Sequence, residues 1–167
     1  MELLAALSGA AALLVEPGFQ GLAGALFGWM LLALAALDLK HFWLPDRLTV
    51  SLALLGFGCG LAGWPPSLAD RLIGAVAGFV SLALIALAYR RLRGREGMGG
   101  GDPKLLGAIG AWLGWQTLPA VILGASLVGL AHVGARLLAG QPVLATDRLP
   151  LGALMALAAF PIWIVIQ

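Results

Sequence analysis

The sequence predicts an all-α fold, a polytopic membrane bundle of six to seven transmembrane helices. Of the 167 residues, 61% are hydrophobic and 11% are charged, and the mean hydropathy is +0.99, whereas a soluble domain carries about 25% charged residues. Long apolar stretches are separated by short polar ones, as in helical membrane proteins. None of these stretches shows the strict alternation of a β-barrel strand. We therefore expect a single membrane-embedded domain over residues 1–167.

Seven apolar segments account for nearly the whole chain. A straight span needs about 20 apolar residues, so the first and fifth segments are short. We interpret the first as a tilted or partial span, which leaves six or seven crossings. The fifth is interpreted as short because its start serves function rather than lipid contact. The segments are residues 3–15, 19–37, 48–64, 71–89, 104–115, 118–139 and 150–166.

The basic residues predict the orientation of the chain in the membrane. If the N-terminus is cytoplasmic and all seven segments cross, nine of the ten basic residues lie in or beside cytoplasmic loops, in agreement with the positive-inside rule. The tenth, Arg71, follows Asp70 on the opposite side. The net charge of +2 does not suggest a nucleic-acid partner. The nine residues are Lys40, Arg47, Arg90, Arg91, Arg93, Arg95, Lys104, Arg136 and Arg148.

Several of the 24 glycines are spaced four residues apart. In a membrane this spacing lets two helices approach closely. We interpret these glycines as packing positions and assign them no chemistry. The pairs are Gly56/Gly60, Gly74/Gly78 and Gly110/Gly114.

Three aspartates fall at the ends of apolar segments on the same predicted face, and acids at such positions suggest function because their burial is costly. Asp46 follows Pro45 and is well placed as an N-cap. Asp102 precedes Pro103, another common helix start. Asp38 ends the second segment, where the helix dipole disfavours a negative charge by about 0.3–1 kcal/mol. Helix capping therefore explains two of the three acids and leaves Asp38 unexplained.

Asp38 and Asp102 together suggest acid–base chemistry. Two carboxyl groups held close together titrate as a pair and share a proton. In an aspartic protease one carboxylate takes a proton from water while the protonated partner polarises the scissile carbonyl. The glycine-rich stretch before Asp102 lets a substrate backbone approach closely. The sequence thus favours Asp38 and Asp102 as a catalytic pair.

The motifs around these acids resemble those of one peptidase family. "GMGGGDPK", residues 97–104, is similar to the G-x-G-D-x-K signature of the type IV prepilin peptidases, which are GxGD-type membrane aspartic peptidases. "DLKHFWLPDRLT", residues 38–49, resembles their other aspartate motif, and "LPLGALMALAAF", residues 149–160, resembles their final Pro-x-Gly helix start. The resemblance extends over about residues 20 to 160.

The resemblance implies roles for eight residues. Asp38 and Asp102 would be catalytic, and Gly99 and Gly101 would shape the substrate cleft. Lys104 would position Asp102 or meet an acidic group, and its alternative role is that of a plain interfacial anchor. Pro45, Asp46 and Thr49 match the first motif, where a role in building the helix start is favoured over a role in substrate binding.

The resemblance also implies a function. The protein would remove the leader from type IV prepilins, or from pseudopilins of type II secretion, by cleaving after a glycine at the cytoplasmic face of the bacterial inner membrane. Many family members carry an insert with two Cys-x-x-Cys pairs and also methylate the new N-terminus. This chain has only Cys59, so we expect neither methyltransferase activity nor a metal or other cofactor. The expected partners are the prepilin and the lipid bilayer, and the sequence does not predict an oligomeric state.

Two alternative functions come from other classes. A proton- or ion-coupled transporter also uses intramembrane acids, but it places them near the bilayer midplane and between repeated halves. An inactive scaffold of a pilus or secretion machine would retain the acids only as helix caps. Cleavage of a leader would distinguish the peptidase from the scaffold, and proton flux would identify the transporter.

Overall fold

The computed structural model describes residues 2–94, 98–141 and 149–167, and all the regular structure in these ranges is helical. The predicted all-α fold is therefore confirmed. Arg95 and Arg148, two of the basic residues behind the predicted orientation, lie outside the described residues. A short 3-10 turn, Trp115–Thr117, precedes the sixth helix. The helices are α1 (Glu2–Val15), α2 (Phe19–His41), α3 (Asp46–Leu61), α4 (Leu68–Arg93), α5 (Asp102–Leu113), α6 (Leu118–Leu138) and α7 (Leu151–Ile166).

Several helices continue past the apolar segments that the sequence shows. α4 begins three residues earlier than its segment because Ser67 caps it, accepting a hydrogen bond of 3.2 Å from the Asp70 N–H. α2 continues through Asp38 to His41 and ends where Phe42 adopts a left-handed conformation, with φ of 51°. The apolar segments thus locate the helices, while caps and backbone conformation determine their ends.

Three stretches are long and apolar enough to cross a membrane, judged by length and composition: α2, α4 and the run Trp115–Leu138 that contains α6. α1 and α7 are apolar but shorter, and α5 has only 12 residues. At about 1.5 Å per residue, α5 is roughly 18 Å long and falls well short of a 30 Å hydrocarbon layer. It is instead surrounded by other helices.

α5 lies at the centre of the bundle between α3 and α4. All its residues from Leu105 to Leu113 are buried. Gly74 and Gly78 of α4 permit this packing, since a Cβ atom at Gly78 would come within 2.7 Å of the Leu106 carbonyl oxygen. The packing role predicted for the Gly74/Gly78 pair is thereby confirmed. The absence of side chains at these positions lets the α4 and α5 backbones touch.

The second layer of the bundle is built on α2. α7 packs against both α2 and α6, and α1 packs against α2. Trp163 of α7 lies over Gly24 of α2, where a Cβ atom would overlap its ring. Phe27 of α2 stacks on Trp112 of α5 with ring centroids 4.6 Å apart. This stacking joins the second layer to the central helix.

Arg71, which the sequence marked only as the one basic residue on the far side, is a buried structural residue. It is 2% exposed, and two of its acceptors are the last carbonyl groups of α5, which have no partner within that helix. A cation is also favoured at a helix C-terminus. Arg71 therefore anchors the end of α5. Its guanidinium donates to the carbonyl oxygens of Trp64, Pro65, Pro66, Ala111 and Trp112 at 2.8–3.4 Å.

We predict that Arg71→Met lowers the free energy of unfolding by about 3 kcal/mol, because buried carbonyl oxygens lose their donors. Arg91→Met is the matched control, since Arg91 is exposed at the other end of α4 and a surface change costs within about 0.5 kcal/mol. Unfolding in mixed micelles, followed by circular dichroism, measures both variants. Equal stabilities for the two variants would contradict the anchoring role.

Candidate active site

Asp38 and Asp102 meet at one end of the bundle. Asp38 lies in the last turn of α2, and Asp102 is the first residue of α5. They are 4% and 6% exposed, and their carboxyl groups are close enough for their charges to interact. The backbone N–H of Gly152 faces both carboxyl groups. The structure thus brings together the two acids that the sequence proposed as a pair.

The start of α7 holds the Asp38 carboxylate. The Ala153 N–H donates to Asp38 Oδ2 at 2.8 Å, across 115 residues of sequence. The first N–H groups of a helix have no partner within it and are suited to an anionic acceptor. A Cβ atom at Gly152 would lie 2.9 Å from the same oxygen, so a side chain there would displace the carboxylate. The role of "LPLGALM" is therefore to donate backbone hydrogen bonds at the acid pair.

The glycine loop before α5 holds the Asp102 carboxylate. The Gly99 N–H donates to Asp102 Oδ2 at 3.2 Å. The side chain therefore turns back onto the loop, and it makes no capping hydrogen bond to its own helix. The interpretation of Asp102 as a simple N-cap is wrong for this reason. Gly99 contacts the acid directly, whereas Gly101 packs against Leu44. The cleft-shaping roles of the two glycines stay predictions.

Leu44 packs between the glycine loop that precedes Asp102 and the start of α7 that binds Asp38. It is 5% exposed. A Cβ atom at Gly101 would lie 2.7 Å from Leu44 Cβ, and one at Gly152 would lie 2.9 Å from Leu44 Cδ1. Sequence reasoning did not single out Leu44, because an apolar residue in an apolar chain carries no signal of its own. Its position inside the "DLKHFWLPD" motif was the one available indication.

Lys104 and Asp46 bind each other rather than the acid pair. Lys104 Nζ lies 2.6 Å from Asp46 Oδ1, with the two side chains 43% and 66% exposed. Asp46 makes no capping hydrogen bond, because the N-cap position of α3 is Pro45, so the predicted capping role of Asp46 is also wrong. Of the roles considered for Lys104, the structure shows the contact with an acidic group. This ion pair joins the start of α3 to the start of α5.

The acid pair lies well short of the tips of α4 and α6. Gly78 packs against Leu106 in antiparallel register, which places Asp102 level with about Leu82. α4 then continues for eleven residues, 83 to 93, or about 16 Å at 1.5 Å per residue. Gly129 of α6 packs against Leu154 of α7, so α6 extends roughly 10 Å past the start of α7. The acids therefore lie well below the level of two projecting helix ends.

The part of the chain that the structure describes contains no group of three His, Cys, Asp or Glu side chains that could hold a metal ion. Among the described residues, the ionisable groups buried at this end are the two aspartates, since Lys104 and Asp46 are exposed. The groups that the described part of the site contains are two carboxyl groups and the backbone N–H groups of Gly99, Gly152 and Ala153.

Residues 25–134 match the type IV leader peptidase family. The chain belongs to this family. It is 45% identical over 161 residues to a prepilin leader peptidase/N-methyltransferase of Aeromonas hydrophila, covering 96% of this chain and 55% of that one. Proteins of the same name in Dickeya chrysanthemi and Pseudomonas aeruginosa are 48% identical over 131 residues (78% and 46% covered) and 42% identical over 145 residues (86% and 50% covered). The chain spans about half the length of these relatives, and no solved structure matches it.

The range that matches the leader peptidase family contains both acids but ends before α7. Asp38 and Asp102 lie within residues 25–134, whereas Gly152 and Ala153 lie beyond them. In this family member, the helix that donates to Asp38 therefore comes from outside the matched range. The hydrogen bond from Ala153 to Asp38 is therefore a feature of the tertiary structure that the matched range does not contain.

We predict a small coupling between Asp46 and Lys104. In a double-mutant cycle of Asp46→Ala and Lys104→Ala, the coupling free energy should be no more than about 1 kcal/mol, because both side chains are exposed. Unfolding at low and high salt measures it, and salt should weaken it further. A coupling several times larger would show that the pair is shielded from solvent.

Proposed function

We propose that this leader peptidase family member is an aspartic endopeptidase whose catalytic groups are Asp38 and Asp102. The observation that supports the proposal is that two buried carboxyl groups, from α2 and α5, lie close enough for their charges to interact at the N-terminus of α7. A buried acid in an apolar bundle is costly to maintain. Two of them together are difficult to explain by packing, and capping explains neither.

The reaction would follow the logic of a carboxyl pair that shares one proton. The ionised carboxylate takes a proton from a water molecule, and the water oxygen attacks the carbonyl carbon of the scissile peptide bond. The protonated partner donates a hydrogen bond to the carbonyl oxygen, on which negative charge develops. When the tetrahedral intermediate collapses, the C–N bond breaks and the leaving amine takes a proton from the carboxyl pair, which returns to its singly protonated state. The hydrogen bonds from Gly99 and Ala153 would hold the two carboxyl groups in position during these steps.

The level of the acids, below the ends of α4 and α6, would give water a route to this chemistry. Three non-helical stretches, residues 42–45, 98–101 and 149–150, lie beside the starts and ends of the helices that carry the acids. Within a membrane, irregular backbone is tolerated where it lines a water-filled cavity. We propose that the space beside the ends of α4 and α6 is such a cavity and that it supplies the attacking water.

The substrates in this proposal are type IV prepilins or pseudopilins, which would be cleaved after a glycine at the cytoplasmic face of the inner membrane. The Arg90, Arg91 and Arg93 side chains at the tip of α4 would contact anionic lipid, at roughly 1 kcal/mol per basic residue. Neither methyl transfer nor a metal is part of the proposal, because the chain has no paired cysteines.

The decisive experiment is leader cleavage in membranes. A prepilin is co-expressed with the intact protein, with Asp38→Asn or with Asp102→Asn, and the pilin N-terminus is sequenced. Each variant should lose cleavage by about 10³-fold or more, because the pair acts as a unit. Asp70→Asn is the matched control: Asp70 lies at the other end of α4, bonded to Ser67, Trp115 and Gln116. Cleavage that persists in a folded Asp38 or Asp102 variant would overturn the mechanism.

We also predict that Gly152→Ala reduces cleavage by roughly 10²-fold, because its Cβ would displace the Asp38 carboxylate from a geometry that tolerates little misplacement. Gly58→Ala is the matched control, since a Cβ at Gly58 meets nothing within 4 Å. Initial cleavage rates of purified variants, compared with their stabilities, measure the effect. If both variants cleave like the intact protein, α7 does not position Asp38.

A further inference from the structure

The connection between α2 and α3, residues 42–45, is attached to the chain at each of the two acids. At its start, the Phe42 N–H donates to the backbone carbonyl oxygen of Asp38 at 2.9 Å. At its end comes Asp46, the first residue of α3, which pairs with Lys104 in the first turn of α5. The α2–α3 connection therefore joins the backbone at one acid to the helix that begins with the other.

Leu44 is the buried side chain of the α2–α3 connection, whereas the two residues before it are exposed. It touches the glycine loop before Asp102 on one side and the start of α7 on the other. Because Gly101 and Gly152 have no side chains, Leu44 packs directly on the backbone at both positions. The volume of Leu44 therefore determines how far the loop that binds Asp102 lies from the helix end that binds Asp38.

The backbone on both sides of Leu44 is held in place. Phe42 has a left-handed φ of 51°, an uncommon conformation for a residue other than glycine. The ring of Pro45 fixes its own φ and favours an extended conformation for the residue before it. The Pro45 carbonyl oxygen accepts hydrogen bonds of 3.1 and 3.2 Å from the N–H groups of Leu48 and Thr49 in α3. A shift of Leu44 would therefore require α2 or α3 to move.

From these contacts we infer that Leu44 is a positioning residue that sets the separation of the Asp38 and Asp102 carboxyl groups. The inference rests on the proposed peptidase function, in which the two groups lie close enough to share a proton. Gly99 and Ala153 each donate to one carboxyl group, and Leu44 keeps these two donor segments at a fixed distance. A smaller side chain would let the segments shift, and a displacement of about 1 Å costs roughly 10²-fold in rate.

Steady-state cleavage of a type IV prepilin, with rates taken per folded protein, tests the positioning role. Leu44→Ala should lower kcat about 10²-fold with KM nearly unchanged, because it displaces the reacting groups and leaves substrate binding intact. Leu44→Met conserves volume and should keep kcat within about threefold of the intact protein. Leu113→Ala is the matched control: Leu113 is 2% exposed at the far end of α5, so its truncation also leaves a cavity.

A second measurement reports the spacing of the acids without any substrate. The protein is produced with isotopically labelled aspartate carboxyl carbons and studied in membranes by solid-state NMR. A cross-peak between two carboxyl carbons that disappears in Asp38→Asn and in Asp102→Asn identifies the pair. This cross-peak should persist in Leu113→Ala and in Leu44→Met, and it should lose most of its intensity in Leu44→Ala.

The outcomes separate this inference from the proposed function. Equal kcat for Leu44→Ala and Leu113→Ala, or an unchanged cross-peak in Leu44→Ala, would overturn the positioning role even if the intact protein cleaves normally. If Leu44→Ala does not fold, the milder truncation Leu44→Val takes its place, with a smaller loss of kcat expected. If the intact protein cleaves no prepilin but the cross-peak depends on Leu44 as expected, the positioning role stands and the peptidase proposal fails.

Discussion

The close packing of α5 inside the bundle is the constraint on which the candidate site depends. α5 is too short to cross a bilayer, so its position along the axis of the bundle is determined by contacts with neighbouring helices rather than with lipid. Gly74 and Gly78 bring the α4 backbone against it, and Arg71 binds its last carbonyl groups. The N-terminus of α5 is thereby fixed about 16 Å short of the tip of α4. Asp102, its first residue, is consequently buried below the level of the helix tips.

The second acid is placed by a different and more distant interaction. Asp38 sits at the end of α2, where the helix dipole of α2 disfavours its charge. The N-terminus of α7 supplies the opposite dipole and a hydrogen bond of 2.8 Å from the Ala153 N–H. Two helix ends of opposite polarity thus meet at one carboxylate. Leu44 packs against both Gly101, next to Asp102, and Gly152, next to Asp38. The positions of the two acids are therefore linked.

The residues around the acids divide into those that touch the carboxyl groups and those that hold the framework. Gly99 and Ala153 donate to the acids. Lys104 and Asp46 instead connect the starts of α5 and α3 at the surface, and Arg71 acts at the far end of α5. The two acids and the groups that hold them therefore lie on α2, α5 and α7 and on the loop before α5.

The sequence by itself determined the helices and the two acids, because apolar length, glycine spacing and charge placement are local properties. It left open what Lys104 binds, it favoured capping for Asp46 and offered capping as the alternative role of Asp102, and it gave Leu44 and Arg71 no part in the site or the core. Those contacts, and the depth of the acids, were decided by the tertiary structure. Each depends on residues far apart in the chain, such as Ala153 and Asp38, which are 115 positions apart. Their approach follows from helix register, which no local pattern encodes.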